Sequence, residues 1–117
     1  MPLTKTEEFA AKDRRLSRWA KALSHPARVA ILKIVARRNE CICGEIVELM
    51  PLAQATVSQH LKELKAAGLI KGTINGPKSC YCIDPRAIKE LAADLQDFLD
   101  GIQSCCVSPS CTTKKGN

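Results

Sequence analysis

Aromatic side chains are scarce in this 117-residue chain: one Trp, one Tyr and two Phe make 3% of it, although 45% of the residues are hydrophobic. Such a core is aliphatic, built from Leu, Ile, Val and Ala on helices, and an all-β sandwich is not expected. No apolar run approaches the ~20 residues that cross a bilayer. Residues 1–20 also lack the apolar centre of a secretion signal, so the expectation is a soluble, cytoplasmic protein with no membrane partner. No internal repeat or long linker divides the chain, and neither a Cys-x-x-Cys on a βα turn nor a nucleophile with its base is in view, so it is not expected to be an enzyme. The seven cysteines are odd in number and come without a secretion signal, which argues for thiols used as ligands or sensors rather than a closed disulfide framework.

What is present in excess is positive charge, 18 Lys and Arg against 12 Asp and Glu. The excess is uneven. Residues 1–38 hold ten basic and three acidic side chains, and residues 51–78 hold Lys62, Lys65, Lys71 and Lys78 against Glu63 alone. Residues 84–103 reverse the balance, with Arg86 and Lys89 against Asp84, Glu90, Asp94, Asp97 and Asp100. One part of the chain suits a phosphate backbone and the other does not.

Hydrophobic spacing orders the elements. Leu16, Trp19, Ala20 and Leu23 predict an amphipathic first helix within residues 6–23. Ser24 as cap and Pro26 in the first turn open a second helix, whose stripe is Ala27, Ile31, Ile34 and Val35. After a link at 39–44, residues 45–50 read as a short third helix ended by Pro51. Residues 52–67 form a fourth, with Ala53, Val57, Leu61 and Leu64 inward and Gly68 as its left-handed stop. Two β-rich runs, 69–74 and 79–83, flank Asn75-Gly76-Pro77-Lys78, the signature of a hairpin with a lysine at its tip. Asp84 and Pro85 open a last helix that is apolar along Ile88, Leu91, Ala92, Leu95, Phe98, Leu99 and Ile102. The expected fold is mainly α with a small β-hairpin, in the order of a winged helix-turn-helix. It divides into a domain at 1–103 and a cysteine-bearing tail at 104–117. So small a core has little room for both outer helices, so a homodimer through the first and last helices is expected, with an ordinary core-facing last helix as the alternative.

The outward side of the fourth helix carries Ala55, Ser58, Gln59, Lys62 and Ala66, with Gln54 and Thr56 in its first turn. Short side chains let a helix enter a major groove, amides pair with adenine edges, and hydroxyls and lysine hold phosphates. A merely solvated face is the plain alternative. The conjunction of face, turn, wing and charge selects double-stranded operator DNA as the partner, read by Gln54, Ala55, Thr56, Ser58, Gln59 and Lys62, with Lys78 on the wing.

Three strings carry a family resemblance: Ala22-Leu23-Ser24-His25-Pro26-Ala27-Arg28-Val29-Ala30-Ile31-Leu32, Gln54-Ala55-Thr56-Val57-Ser58-Gln59-His60-Leu61-Lys62-Glu63-Leu64 and Ala67-Gly68-Leu69-Ile70. Together they resemble the ArsR/SmtB family of metal-responsive repressors over residues 6–103. The resemblance implies a homodimer joined by the outer helices, a recognition helix at 53–67, a wing at 69–83, and Ser58, Gln59 and His60 at the DNA surface. On its wheel His60 falls toward the shoulder, where a structural histidine is the alternative.

The resemblance also frames the cysteines. The family's zinc and cobalt type uses histidine and carboxylate ligands on the last helix, and no histidine follows His60. Its arsenic and cadmium type often carries Cys-x-Cys at the third helix, where Cys41-Ile42-Cys43 stands, but Ile46 occupies the usual third arsenic position. Cys41 and Cys43 are therefore secondary ligand candidates, with inert packing the alternative. The tail supplies Cys105, Cys106 and Cys111, three thiols within seven residues. Some arsenic-responsive members carry a similar group there, and trivalent arsenic or antimony takes three thiolates where zinc prefers four ligands. Cys80 and Cys82 alternate on one face of a wing strand and read as half-buried small apolar residues, although either is open as a third ligand.

The expected function is a DNA-binding transcriptional repressor released from its operator by trivalent arsenic. The nearest alternative keeps the fold and makes it a thiol redox or persulfide sensor, bridging Cys41 or Cys43 to Cys105 or Cys106. A thiol reductase and a zinc-stabilised structural module are the remaining alternatives.

Overall fold

A computed structural model of the chain describes residues 8–37, 42–43, 46–73 and 80–106. Its elements are α1 (Ala11–Ala22), α2 (Pro26–Arg37), β1 (Ile42–Cys43), a 3-10 turn (Ile46–Leu49), α3 (Gln54–Ala66), β2 (Ile70–Thr73), β3 (Cys80–Ile83) and α4 (Pro85–Cys106). The winged helix-turn-helix order stands, with α3 and both hairpin strands where the periodicity predicts them. The hairpin, however, is two strands of a three-stranded sheet in the order β1-β3-β2, all antiparallel. Residues 45–50, expected as a short helix, give a single 3-10 turn at Ile46–Leu49.

The core is aliphatic. Ile31 and Val35 from α2, Ile46 from the turn, Val57, Leu61 and Leu64 from α3, and Leu69 and Ile70 around the start of β2 are buried around Tyr81 of β3. Trp19 and Ala22 of α1 and Ala87 of α4 close it on one side. Ala53, expected on the buried side of its helix, is exposed: its ψ of 154° is extended, and it precedes the helix rather than joining it.

Local chemistry explains the helix ends. Ser24 does not cap α2; its hydroxyl donates back to the Lys21 carbonyl, 2.7 Å away. His25 takes the capping role, its Nδ1 accepting the Ala27 N–H at 2.9 Å, one turn position before Pro26 fills the site that needs no donor. At the other end of α3, Gly68 N–H donates to Lys65 O at 2.9 Å and Leu69 N–H to Leu64 O at 3.1 Å, with Gly68 at φ +88°. That pairing satisfies the last carbonyls and turns the chain into β2, as the expected glycine stop requires. Asp84 opens α4 by accepting the Arg86 N–H at 3.1 Å.

One charged residue lies on the inward side of α4. Asp94 is 6% exposed and accepts Arg15 Nε at 2.7 Å, Arg15 Nη2 at 2.8 Å and Trp19 Nε1 at 2.9 Å. These bonds dock α1 on α4, and an exposed Lys12–Asp97 ion pair lies alongside. Beyond Asp94 the apolar stripe of α4 has no cover among the described residues: Leu95, Phe98, Leu99 and Ile102 are 38–52% exposed.

Candidate nucleic-acid interface

Burial of Val57, Leu61 and Leu64 fixes the rotation of α3 about its axis. The opposite side therefore faces outward: Ala55, Gln59 and Lys62 are exposed and Ser58 is half-buried at its margin, while Gln54 and Thr56 are exposed in the first turn. Gln59 Nε2 donates to Glu63 Oε2 at 3.4 Å, a long bond on the helix surface that leaves the amide available to a base edge. Six of the eight expected DNA-reading residues thus lie on one helix, four on its outward side and two in its first turn. Lys78 lies outside the described residues.

His60 is the seventh, and it is held differently. Its Nδ1 accepts Arg28 Nε at 3.3 Å, and its ring centroid is 4.5 Å from that of His25, the planes tilted by 48°. Burial, then the nearby His25 and Arg28, lower its pKa below the ordinary 6.5, so the neutral ring is favoured. Arg28 also donates to the Lys21 carbonyl at 3.0 Å. The imidazole therefore joins α3 to the start of α2 and the end of α1, and the structural alternative describes it better than a surface contact does.

Sequence reasoning missed Arg28 and Asp94. Arg28 sits inside one of the three family strings with no role of its own, and Asp94 has a visible signal: it falls three residues after Leu91 on the inward side of an otherwise apolar stripe.

The cysteines divide. Cys41 and Cys111 lie outside the described residues. Cys43 takes a position in β1, and Cys105 and Cys106 form the end of α4, which runs three residues past the expected boundary at 103. Cys82 is half-buried as expected, whereas Cys80 is exposed and disulfide-bonded, because its place at the start of β3 leaves it at the sheet surface. Among the described residues no three His, Cys, Asp or Glu side chains converge as a metal site.

Residues 25–71, from the cap of α2 to the start of β2, match the bacterial regulatory proteins of the arsR family. An HTH-type transcriptional regulator of Methanocaldococcus jannaschii is 36% identical over 72 residues, covering 61% of this chain and 80% of that protein. The chain belongs to the ArsR family. An arsenical resistance operon repressor of Staphylococcus xylosus is 28% identical over 92 residues, 79% of this chain and 88% of that one. In fold, the crystal structure of an ArsR family transcriptional regulator superposes with a TM-score of 0.66 at 22% identity, over 86% of this chain and 98% of the other. As an ArsR/SmtB-family member, the chain is a helix-turn-helix transcriptional regulator, and the family binds DNA and is not enzymatic. No helix among the described residues is long and apolar enough to cross a membrane.

Proposed function

We propose that this regulator is a homodimeric, cytoplasmic repressor that reads a two-fold operator with α3 and releases it when trivalent arsenic binds Cys105, Cys106 and Cys111. The observation that carries this reading is the construction of α4. One helix bears both the uncovered apolar stripe from Leu95 to Ile102 and, one turn further on, two adjacent cysteines. A ligand held at its end acts directly on the element suited to join two subunits.

The donor set fits the inducer. Three thiolates with no histidine or carboxylate partner suit a thiophilic trivalent ion that takes three ligands and no fourth. Arsenic supplies thiophilic bonding to those sulfurs. Cys105, Cys106 and Cys111 would hold it, the first two at the end of α4. A coupling of about 1 to 3 kcal/mol between this site and α3 changes operator occupancy 5- to 150-fold. The domain at 1–103 then reads DNA, and residues 104–117 sense.

Fluorescence anisotropy of the reduced protein on its own upstream DNA tests the proposal, with arsenite, zinc and a persulfide donor added in turn. Arsenite alone should release wild type and leave Cys105→Ser/Cys106→Ser bound. Release by the persulfide donor alone keeps the fold and replaces the signal.

A further inference from the structure

Four of the seven cysteines fall in two Cys-x-Cys pairs, 41/43 and 80/82, and the tail site proposed above uses none of them. The sheet brings one member of each pair together. β1 and β3 are antiparallel with Cys43 directly opposite Cys80 and Ile42 opposite Tyr81. Opposed positions in an antiparallel ladder have Cα atoms ~4.5–5.5 Å apart, within the ~4.4–6.8 Å that a disulfide spans. Cys80 is disulfide-bonded, and it is exposed at the sheet surface, where a small oxidant reaches it.

We infer that Cys43 is the partner of Cys80 and that the two form an oxidation site on the wing, a dithiol that a peroxide closes to a cross-strand disulfide. One thiolate attacks a peroxide oxygen, breaking the O–O bond to give a sulfenic acid and the first water. The second thiolate attacks that sulfur, forming the S–S bond and releasing the second water. Two thiols lose two electrons and hydrogen peroxide gains them.

The bond's place gives it a consequence. β3 is the middle strand, paired on its other side with β2, where Thr73 stands opposite Cys80. β1 precedes the 3-10 turn and α3. Closing Cys43 onto Cys80 ties the wing to the strand that leads into the reading helix, and it withdraws Cys43 from any role as a metal ligand. The site is independent of the tail, so arsenic sensing and wing oxidation stand or fall separately.

The test is peptide mapping of the full-length reduced protein after hydrogen peroxide, alkylation of remaining thiols and trypsin digestion without reductant. Peptides 39–62 and 79–86 should appear linked, with fragmentation assigning the bond to Cys43 and Cys80. Cys43→Ser and Cys80→Ser should each abolish the link, while Cys41→Ser, Cys82→Ser and Cys105→Ser/Cys106→Ser keep it. The oxidised wild type should melt roughly 10 °C above the reduced form, because the bond closes a long loop, and Cys43→Ser/Cys80→Ser should show no such difference. A bond that fragmentation of the wild-type peptides assigns to Cys41, to Cys82 or to the tail overturns the inference without recourse to any variant, as does recovery of Cys43 and Cys80 fully alkylated.

Discussion

His60 and Asp94 are both ionisable groups drawn into the fold, and their environments give them opposite pH dependences. His60 is kept neutral by burial and by its cationic neighbours, so its folded pKa lies below the 6.5 of the unfolded chain. The unfolded state takes up the proton first, and stability falls as pH drops below 6.5 until the folded pKa is passed. The NMR titration of the His60 ring should have its midpoint below 6.5, and a thermal midpoint that falls between pH 7.5 and 5.5 in wild type should fall less in His60→Gln. A titration above 6.5 would contradict the contact with Arg28. Asp94 is held as a carboxylate by the bonds from Arg15 and then from Trp19, which lower its pKa from 3.8 to about 2. Its contribution is fully present above about pH 4 and is lost as pH falls toward 2. Asp94→Asn keeps an acceptor for the indole but loses the charged pair with Arg15. The expected result at pH 7 is a thermal midpoint lower by roughly 5 °C, and acid unfolding without the component between pH 4 and 2.

Among the elements, the wing is the one whose backbone tolerates least. Gly72 has φ +126°, and a Cβ there would lie 2.2 Å from the Cys80 carbonyl oxygen and 2.7 Å from Tyr81 Cα. Gly68 is also at positive φ but has open space around it. Gly68→Ala should therefore cost only the left-handed strain, about 1 kcal/mol, whereas Gly72→Ala must push β2 and β3 apart. The measurement is operator affinity beside the circular dichroism spectrum: Gly72→Ala should lose roughly 10-fold in binding while keeping its helices, and Gly68→Ala should bind as wild type. On α3, Lys62→Ala should weaken binding across all sequences and reduce the slope of affinity against salt by about 1 for each phosphate that the lysine neutralises. These elements were legible in the sequence to different degrees, for physical reasons. α3 and its stop could be read because Val57, Leu61 and Leu64 repeat at 3.6 and Gly68 supplies the turn. β1 could not, since a two-residue strand has no period and exists through pairing with Tyr81 and Cys80 nearly forty positions away. The cap of α2 was misassigned to Ser24 because a hydroxyl is the usual acceptor and a histidine ring nitrogen is not. The outward side of α3 could be read from its period, but the contact of His60 depends on Arg28, 32 residues earlier, and spacing within one helix carries no such information.

At the scale of the whole molecule, the decisive feature is the distal half of α4, where four large apolar side chains are exposed on a helix that the other described residues cover only as far as Asp94. A contiguous patch of this kind on a small regulator marks an interface, and the same patch on a second copy is self-complementary about a two-fold axis. In the proposed dimer such an axis would present two copies of α3 to one face of the duplex, and a two-fold operator requires them about 34 Å, or one helical turn, apart. The charge distribution agrees: the acidic run from Asp84 to Asp100 lies on the element that would sit away from the phosphates, while Lys62 and Lys65 lie on the one that approaches them. Phe98→Glu/Leu99→Glu places four like charges across the proposed axis without touching the buried core. Light scattering should report a dimer for wild type and a monomer for this variant, with the helical spectrum of the monomer domain preserved. Operator affinity should fall at least 100-fold, because each subunit then holds one half-site alone, whereas affinity for nonspecific DNA should fall far less. A variant that stays dimeric would move the interface elsewhere, and a wild type that binds its operator tightly as a monomer would remove the link from α4 to α3 on which the proposed arsenic release rests.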